Sequence, residues 1–68
     1  MTPAAIVIIR ELLALRRAGQ LAGVWCDAGH LRVELLDGHV FTARKPARYH
    51  RVLFAVEQQI ATARKAAA

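Results

Sequence analysis

The sequence predicts an α+β fold in which a helix, three antiparallel strands in a meander and a second helix form one small domain. Apolar residues follow a helical period before Gly19, alternate with polar residues between positions 21 and 44, and return to a helical period after Pro46. The dipeptide Asp37-Gly38 stands between two apolar runs, which is a strong signal for a β-hairpin. We expect both helices to lie on one face of the sheet.

The length of the chain limits it to one domain, which we place over residues 1–68. With 68 residues and a mass of 7.5 kDa, the chain allows a small core over about residues 2–64 and a frayed tail at 65–68. The hydrophobic fraction of 56% disfavours disorder. Cys26 is the only cysteine, so an internal disulfide is excluded and a reducing, cytoplasmic compartment is favoured.

The first helix is predicted to begin at Thr2-Pro3, a favourable capping pair, and to stop at Gly19. Charged residues interrupt its apolar sequence too often for a secretory signal or a membrane span, so we expect no membrane association. Its apolar side chains cover about half of the circumference, which predicts a sheet on one side and another subunit on the other. These side chains are Ile6, Ile8, Ile9, Leu12, Leu13 and Leu15.

Three short strands are predicted between positions 21 and 44, with turns at 27–29 and 37–38. The middle strand has one buried and one solvent-facing side, because its apolar residues alternate with polar ones. Cys26 is expected to pack beside Trp25 as a small apolar side chain. The first strand carries Val24, Trp25 and Cys26, the second Leu31, Val33 and Leu35, and the third Val40, Phe41 and Thr42.

The second helix is predicted to begin at Pro46 and to run to about Arg64. Phe54 falls on the far side of this helix, near Gln58, where nothing in a monomer is expected to cover it. We therefore regard Ile8, Phe54 and Gln58 as a candidate protein interface. The apolar face of the helix carries Tyr49, Val52, Leu53, Val56 and Ile60.

The net charge of +5 is concentrated in the last third of the chain. Residues 1–43 carry four arginines and four carboxylates, whereas residues 44–68 carry six cations and only Glu57 as an acid. Cations at a helix N-terminus are unfavourable unless an anion compensates them, and phosphate is the obvious anion. A solvated basic face is the alternative interpretation. We predict nucleic-acid contact at Arg44, Lys45, Arg48 and Arg51.

The predicted order of elements resembles the topology of the double-stranded RNA-binding domain. Lys45-Pro46-Ala47-Arg48 stands where that family has a lysine-rich signature, and Gly29-His30 stands where it has a groove-reading loop. The resemblance covers most of the chain and implies binding to duplex RNA through the start of the second helix. The chain departs from the family in its shorter strands and loops, and in Pro46, which replaces a basic residue.

Two hypotheses for the function follow. The first is a basic module that binds duplex RNA or DNA through phosphate contacts with little base readout. Only Trp25 and Tyr49 are placed to stack on unpaired bases, which disfavours a single-strand binder. The second is a protein-interaction module that uses the first helix, Phe54 or a sheet edge. Such a module is a homodimeric regulator, an adaptor or a small inhibitor, of the kind that phages or plasmids carry.

No catalytic motif is present in the sequence. There is no glycine-rich phosphate loop, no paired carboxylate site and no cofactor motif, so we expect no enzymatic activity, no cofactor and no small-molecule substrate. Metal binding is not expected either, because the spacing of the soft ligands fits no structural zinc pattern. Those ligands are Cys26, His30, His39 and His50.

Overall fold

The computed structural model describes residues 2–67 and confirms the predicted α+β architecture. One helix precedes a three-stranded antiparallel meander, and a longer helix follows it after a short 3₁₀ turn. The elements are α1 (Pro3–Arg17), β1 (Leu21–Asp27), β2 (His30–Leu35), β3 (Val40–Ala43), the 3₁₀ turn (Pro46–Arg48) and α2 (Tyr49–Ala67).

Both ends of α1 are capped as the sequence predicts. Thr2 is extended, and its Oγ1 accepts a hydrogen bond from the backbone N–H of Ala5 at 3.3 Å. This bond satisfies a donor that has no partner within the helix. At the other end Gly19 adopts a left-handed conformation, with φ at 78°. The N–H groups of Gly19 and Gln20 donate to carbonyl oxygens three and five residues earlier, each at 3.0 Å, so the helix ends in a Schellman motif.

The two hairpins are closed by different turns. Ala28 and Gly29 form a two-residue turn between β1 and β2, and both have positive φ, at 50° and 80°. This primed turn matches the twist of the strands, although it is unfavourable for the side chain of Ala28. Between β2 and β3, the N–H of Leu35 donates to the carbonyl of His39 at 2.8 Å, which closes a three-residue loop. The hairpin predicted from the Asp-Gly pair is therefore confirmed.

The strand register gives the sheet one buried and one open face. A bulge at Ala22 shifts the pairing, so that Leu21 lies opposite Leu35 while Val24 lies opposite Val33. The extra residue brings Leu21 and Val24 to the same face in spite of their odd spacing. The paired residues on the open face are Gly23, Trp25, Asp27, His30, Arg32, Glu34, Val40 and Thr42.

Both helices pack on the buried face of the sheet, as predicted. α1 contacts β1, α2 contacts β3 and β2, and the two helices contact each other. Burying an apolar side chain of this size stabilises the fold by roughly 1.5–3 kcal/mol, so a few residues dominate so small a core. The largest fully buried side chains are Tyr49, Leu12, Leu31, Val33 and Val56.

α2 differs from its prediction at both ends. The chain enters it through the 3₁₀ turn, and the α-helix begins at Tyr49 rather than at Pro46. It continues to Ala67, past the predicted end near Arg64, because its last turns are rich in alanine and in cations that favour a helix C-terminus. Most of the predicted tail is therefore helical, and Ala68 lies outside the described residues.

Candidate nucleic-acid interface

The four cations predicted to bind phosphate surround the start of α2. Arg44 and Lys45 lie between β3 and the 3₁₀ turn, Arg48 ends that turn, and Arg51 lies in the first turn of α2. All four residues are exposed. Among residues 2–67 none of them has a carboxylate within 4.0 Å. The Arg32–Glu34 pair lies on the open face of the sheet, and the His39–Asp37 contact lies in the β2–β3 loop.

The segment over residues 44–56 contains no acidic residue to offset the cations. Lys45 occupies the cap position before the 3₁₀ turn, and its side chain makes no capping hydrogen bond. The first turn of α2 contains no acidic residue. The N–H groups of Arg48 and Tyr49 already donate to Lys45 and Pro46 within the 3₁₀ turn. The dipole of α2 still adds partial positive charge to that of the side chains. An anion bound here would be attracted by both the cations and the helix dipole.

Tyr49 fixes the start of α2 against the β1–β2 turn. Its ring is fully buried, and its hydroxyl donates a hydrogen bond to the carbonyl oxygen of Gly29 at 2.5 Å. The backbones also come close, since a methyl group at Gly29 would lie 3.9 Å from Cδ of Pro46 and 4.0 Å from the carbonyl oxygen of Arg44. The Gly29-His30 segment and the basic residues therefore share one end of the molecule.

Burial raises the pKa of Tyr49 from its ordinary value of 10.0 to about 12. The hydrogen bond with Cys26 and the charge of its thiolate act in the same direction. The phenol is therefore neutral at physiological pH and keeps the proton that it donates to Gly29. Its role at this site is to position the chain, since no ligand reaches a fully buried ring.

Two predictions about this region are wrong. Tyr49 cannot stack on a base, because its ring is fully buried. Its position in the apolar period of the helix correctly predicted that it belongs to the core. Cys26 does not pack beside Trp25, because adjacent residues of a strand point to opposite faces. Its Sγ lies 3.5 Å from the hydroxyl of Tyr49, and Cys26 remains exposed at the end of β1.

Trp25 lies on the open face of the sheet, where it is 49% exposed. Its ring covers Gly23 so closely that a Cβ there would collide with it. The guanidinium carbon of Arg32 lies 5.2 Å from the ring centroid, which is a cation–π distance. Because α2 lies on the other face of the sheet, Trp25 does not join the basic residues of α2 in one surface.

The three residues of the candidate protein interface do not form one exposed surface. Phe54 is 65% exposed, and Gln58 lies one helical turn further on the exposed side of α2. Ile8, in contrast, is half-buried and packs against the core. Phe54 is therefore the part of this prediction that is free to contact another molecule.

An open apolar groove of about 470 Å³ lies under the C-terminal half of α2. Leu35, Leu36 and Ile60 line it, and the Oε1 atom of Gln20, which also lines it, is buried without a hydrogen-bond partner. The groove contains none of the four cations predicted to bind phosphate. It is a separate surface from the basic end of α2.

Comparison of the chain with protein-family models, with curated proteins and with solved structures finds no match. Within residues 2–67, no three His, Cys, Asp or Glu side chains gather where they would hold a metal ion. Neither helix of that part of the chain combines the length and the apolar character needed to cross a bilayer. The strongest concentration of one chemistry there is the cluster of cations at the start of α2.

Proposed function

We propose that the protein binds duplex nucleic acid through its phosphate groups, using Arg44, Lys45, Arg48 and Arg51. The observation that carries the proposal is that four exposed cations, none with a carboxylate of residues 2–67 within 4.0 Å, surround the N-terminal end of a helix. Without an anion, their mutual repulsion and the helix dipole destabilise the fold. A bound phosphate replaces this repulsion by charge-assisted hydrogen bonds.

A duplex suits this surface better than a single strand. Proteins that bind single strands stack the bases on exposed aromatic rings, whereas the ring of Tyr49 is buried and Trp25 lies on the opposite face of the sheet from α2. Contacts to phosphate position a protein without reading bases, so we expect little sequence preference. The single cysteine favours a reducing compartment, and we place this activity in the cytoplasm.

The test is the salt dependence of binding to labelled RNA and DNA duplexes of about 20 base pairs. Four phosphate contacts predict that log K falls with log salt at a slope of roughly −3.6. The double variant Arg48→Ala, Arg51→Ala should bind more weakly and reduce the slope by about 1.8. Binding is followed by fluorescence anisotropy at several concentrations of sodium chloride.

The matched control is the double variant Arg64→Ala, Lys65→Ala. It removes the same charge about 20–25 Å further along α2, which is roughly two to three Debye lengths at physiological salt. We expect its slope to equal that of the wild type. Equal losses in both double variants, or no binding of either duplex at low salt, would contradict the proposal.

A second candidate function is a protein-interaction module, such as an adaptor or a small inhibitor, and Phe54 favours it. A ring that is 65% exposed gains free energy when another surface covers it. The variant Phe54→Ser distinguishes the two candidates in the same titration. Binding to duplexes should survive this substitution if the basic residues are the functional surface.

A further inference from the structure

Beyond the bulge at Ala22, the outer edge of β1 over residues 23–27 is unprotected against strand pairing. β1 lies at one edge of the sheet and, with seven residues, is its longest strand. Every second residue of an edge strand points its N–H and C=O groups away from the sheet. Natural edges are commonly blocked by lysine, proline or brevity, yet β1 contains no basic residue and no proline, and its one acid, Asp27, is its last residue. β3, at the other edge, has four residues and is followed by Arg44, Lys45 and Pro46.

Apolar side chains flank this edge on both faces of the sheet. On the open face Trp25 is 49% exposed. On the other face α1 lies against β1. Leu15 lines a cleft together with side chains of α2, so the flank of α1 that carries Leu15 faces α2. Three apolar residues lie about 120° to 180° around the helix from Leu15, on the flank that points outward past the edge. They are Ile6, which is 40% exposed, Ile9 and Leu13.

The charge distribution favours a second copy of the chain as the occupant of this edge. Residues 3–27, which contain α1 and β1, carry a net charge of +1, with three arginines against Glu11 and Asp27, whereas residues 44–68 carry +5. A twofold contact through α2 or β3 would bring two strongly basic segments together, at a cost in repulsion. A twofold contact through β1 separates the two β3 strands by five strand spacings, about 24 Å. This distance is about three Debye lengths at physiological salt, so the repulsion is largely screened.

We propose that two copies of the chain form a twofold dimer in which their β1 strands pair antiparallel into one six-stranded sheet. The bulge at Ala22 leaves residues 23–27 as the regular part of β1, and Trp25 is their middle residue. A pairing centred there puts Trp25 opposite the partner's Trp25 on the open face. On the other face it puts Val24 opposite the partner's Cys26. The outward flank of α1 then packs along the partner's α1.

This contact has the layout of a stable protein interface. Its centre on the sheet is apolar. Exposed cations border the α1 part of the contact: Arg16 projects close to Ile9 in the last turn of α1, and Arg10 and Arg17 lie beside the outward flank. The contact also adds buried apolar surface to a domain whose own core is small. The inference does not depend on the proposed function, because the four phosphate-binding cations lie outside the contact.

The first test is the mass of the protein in solution, measured by light scattering and sedimentation over a range of concentrations. The wild type should have twice the chain mass of 7.5 kDa. Ile6→Lys places a cation in the contact and should weaken the dimer at least about tenfold. Val7→Lys is the matched control, since Val7 is the next residue of α1, is 53% exposed and points away from the contact. It should remain dimeric, and circular dichroism shows whether each variant folds.

The second test examines the register and does not rely on a disruptive variant. Val24→Cys should form a disulfide-linked dimer under mild oxidation, because directly opposed residues of antiparallel strands have Cα atoms within the range of a disulfide. Adding Cys26→Ser to this variant should abolish the cross-link, since its expected partner is the Cys26 thiol of the other copy. A non-reducing gel reads both results.

Several results would overturn the proposal. One is a wild-type chain that stays monomeric up to about 1 mM, a concentration at which even a weak specific dimer forms. Another is a dimer that survives Ile6→Lys but is lost in Val7→Lys or in Phe54→Ser, because the contact then lies on another surface. A third is a Val24→Cys cross-link that persists after Cys26→Ser.

Discussion

At the scale of single residues, Tyr49 decides the geometry of the candidate interface. Its hydroxyl joins the start of α2 to the carbonyl of Gly29, which lies twenty positions earlier in the chain. The same ring is one of the largest fully buried side chains of the core. A single phenol therefore couples the packing of the domain to the position of the basic residues around it.

The raised pKa of Tyr49 predicts a loss of stability at alkaline pH. The folded-state pKa is about 12 and the ordinary value is 10.0, so the folded state holds this proton more tightly than the unfolded chain. The resulting stabilisation is complete below about pH 10 and is lost as the pH rises towards about 12, at up to about 1.4 kcal/mol per pH unit. Urea unfolding at several pH values in this range measures the decline.

Tyr49→Phe is the control for this prediction, because phenylalanine has no proton to lose. At neutral pH the variant should be less stable by about 1–2 kcal/mol, since the carbonyl of Gly29 loses its donor. Its further decline at alkaline pH should be smaller than that of the wild type. An equal decline in both proteins would show that other groups cause the alkaline unfolding.

At the scale of elements, the start of α2 carries a conflict between stability and the proposed function. Arg48→Glu should raise the free energy of unfolding by about 0.5–1 kcal/mol, because a carboxylate three residues after the Lys45 cap interacts favourably with the helix dipole. The same substitution should weaken binding to duplexes. Urea unfolding at low salt and the anisotropy titration measure the two effects.

Arg64→Glu is the matched control, since it makes the same charge change in the last turn of α2. A carboxylate at a helix C-terminus is unfavourable, so this variant should lose stability. If Arg48→Glu lowers the stability instead, the cations at the start of α2 are not a source of strain. The main support for a compensating anion would then be gone.

The type, number and order of the elements were predictable because their signals are local. The Thr2-Pro3 cap, the stop at Gly19 and the Asp37-Gly38 hairpin each depend on residues within one turn of the chain. The bulge at Ala22 was not predictable, because the extra residue is decided by packing of the neighbouring residues against β2. The end of α2 was predicted too early. Alanine has the highest helix propensity, so the alanine-rich last turns extend the helix although they show no apolar period.

At the scale of the whole molecule, the separation of charge predicts that sodium chloride stabilises the fold. Screening weakens the repulsion between the cations around α2. It costs little elsewhere in residues 2–67, because the Arg32–Glu34 pair at 4.0 Å and the His39–Asp37 contact at 3.5 Å are largely solvent-exposed. Thermal melts should therefore show a higher Tm at about 0.5 M salt than at about 0.02 M.

Sodium phosphate at equal ionic strength extends this measurement. An anion that binds only the folded state stabilises it beyond the effect of screening. Phosphate should therefore raise the Tm of the wild type more than chloride does. The excess of the phosphate effect over the chloride effect should be smaller in Arg48→Glu. A Tm that falls with sodium chloride would contradict the predicted role of charge repulsion.

The sequence by itself determined the order of the elements, the buried faces of β2 and α2, and the concentration of charge in the last third of the chain. These properties depend on local periods, caps and composition, which involve only residues that are close together in the chain. Only the tertiary structure decided that Tyr49 is an anchor for Gly29, that Cys26 and Trp25 face apart, and that the β1 edge lies between apolar surfaces. Such relations join residues far apart in the chain, so they follow from packing of one element on another and not from the preference of any one segment.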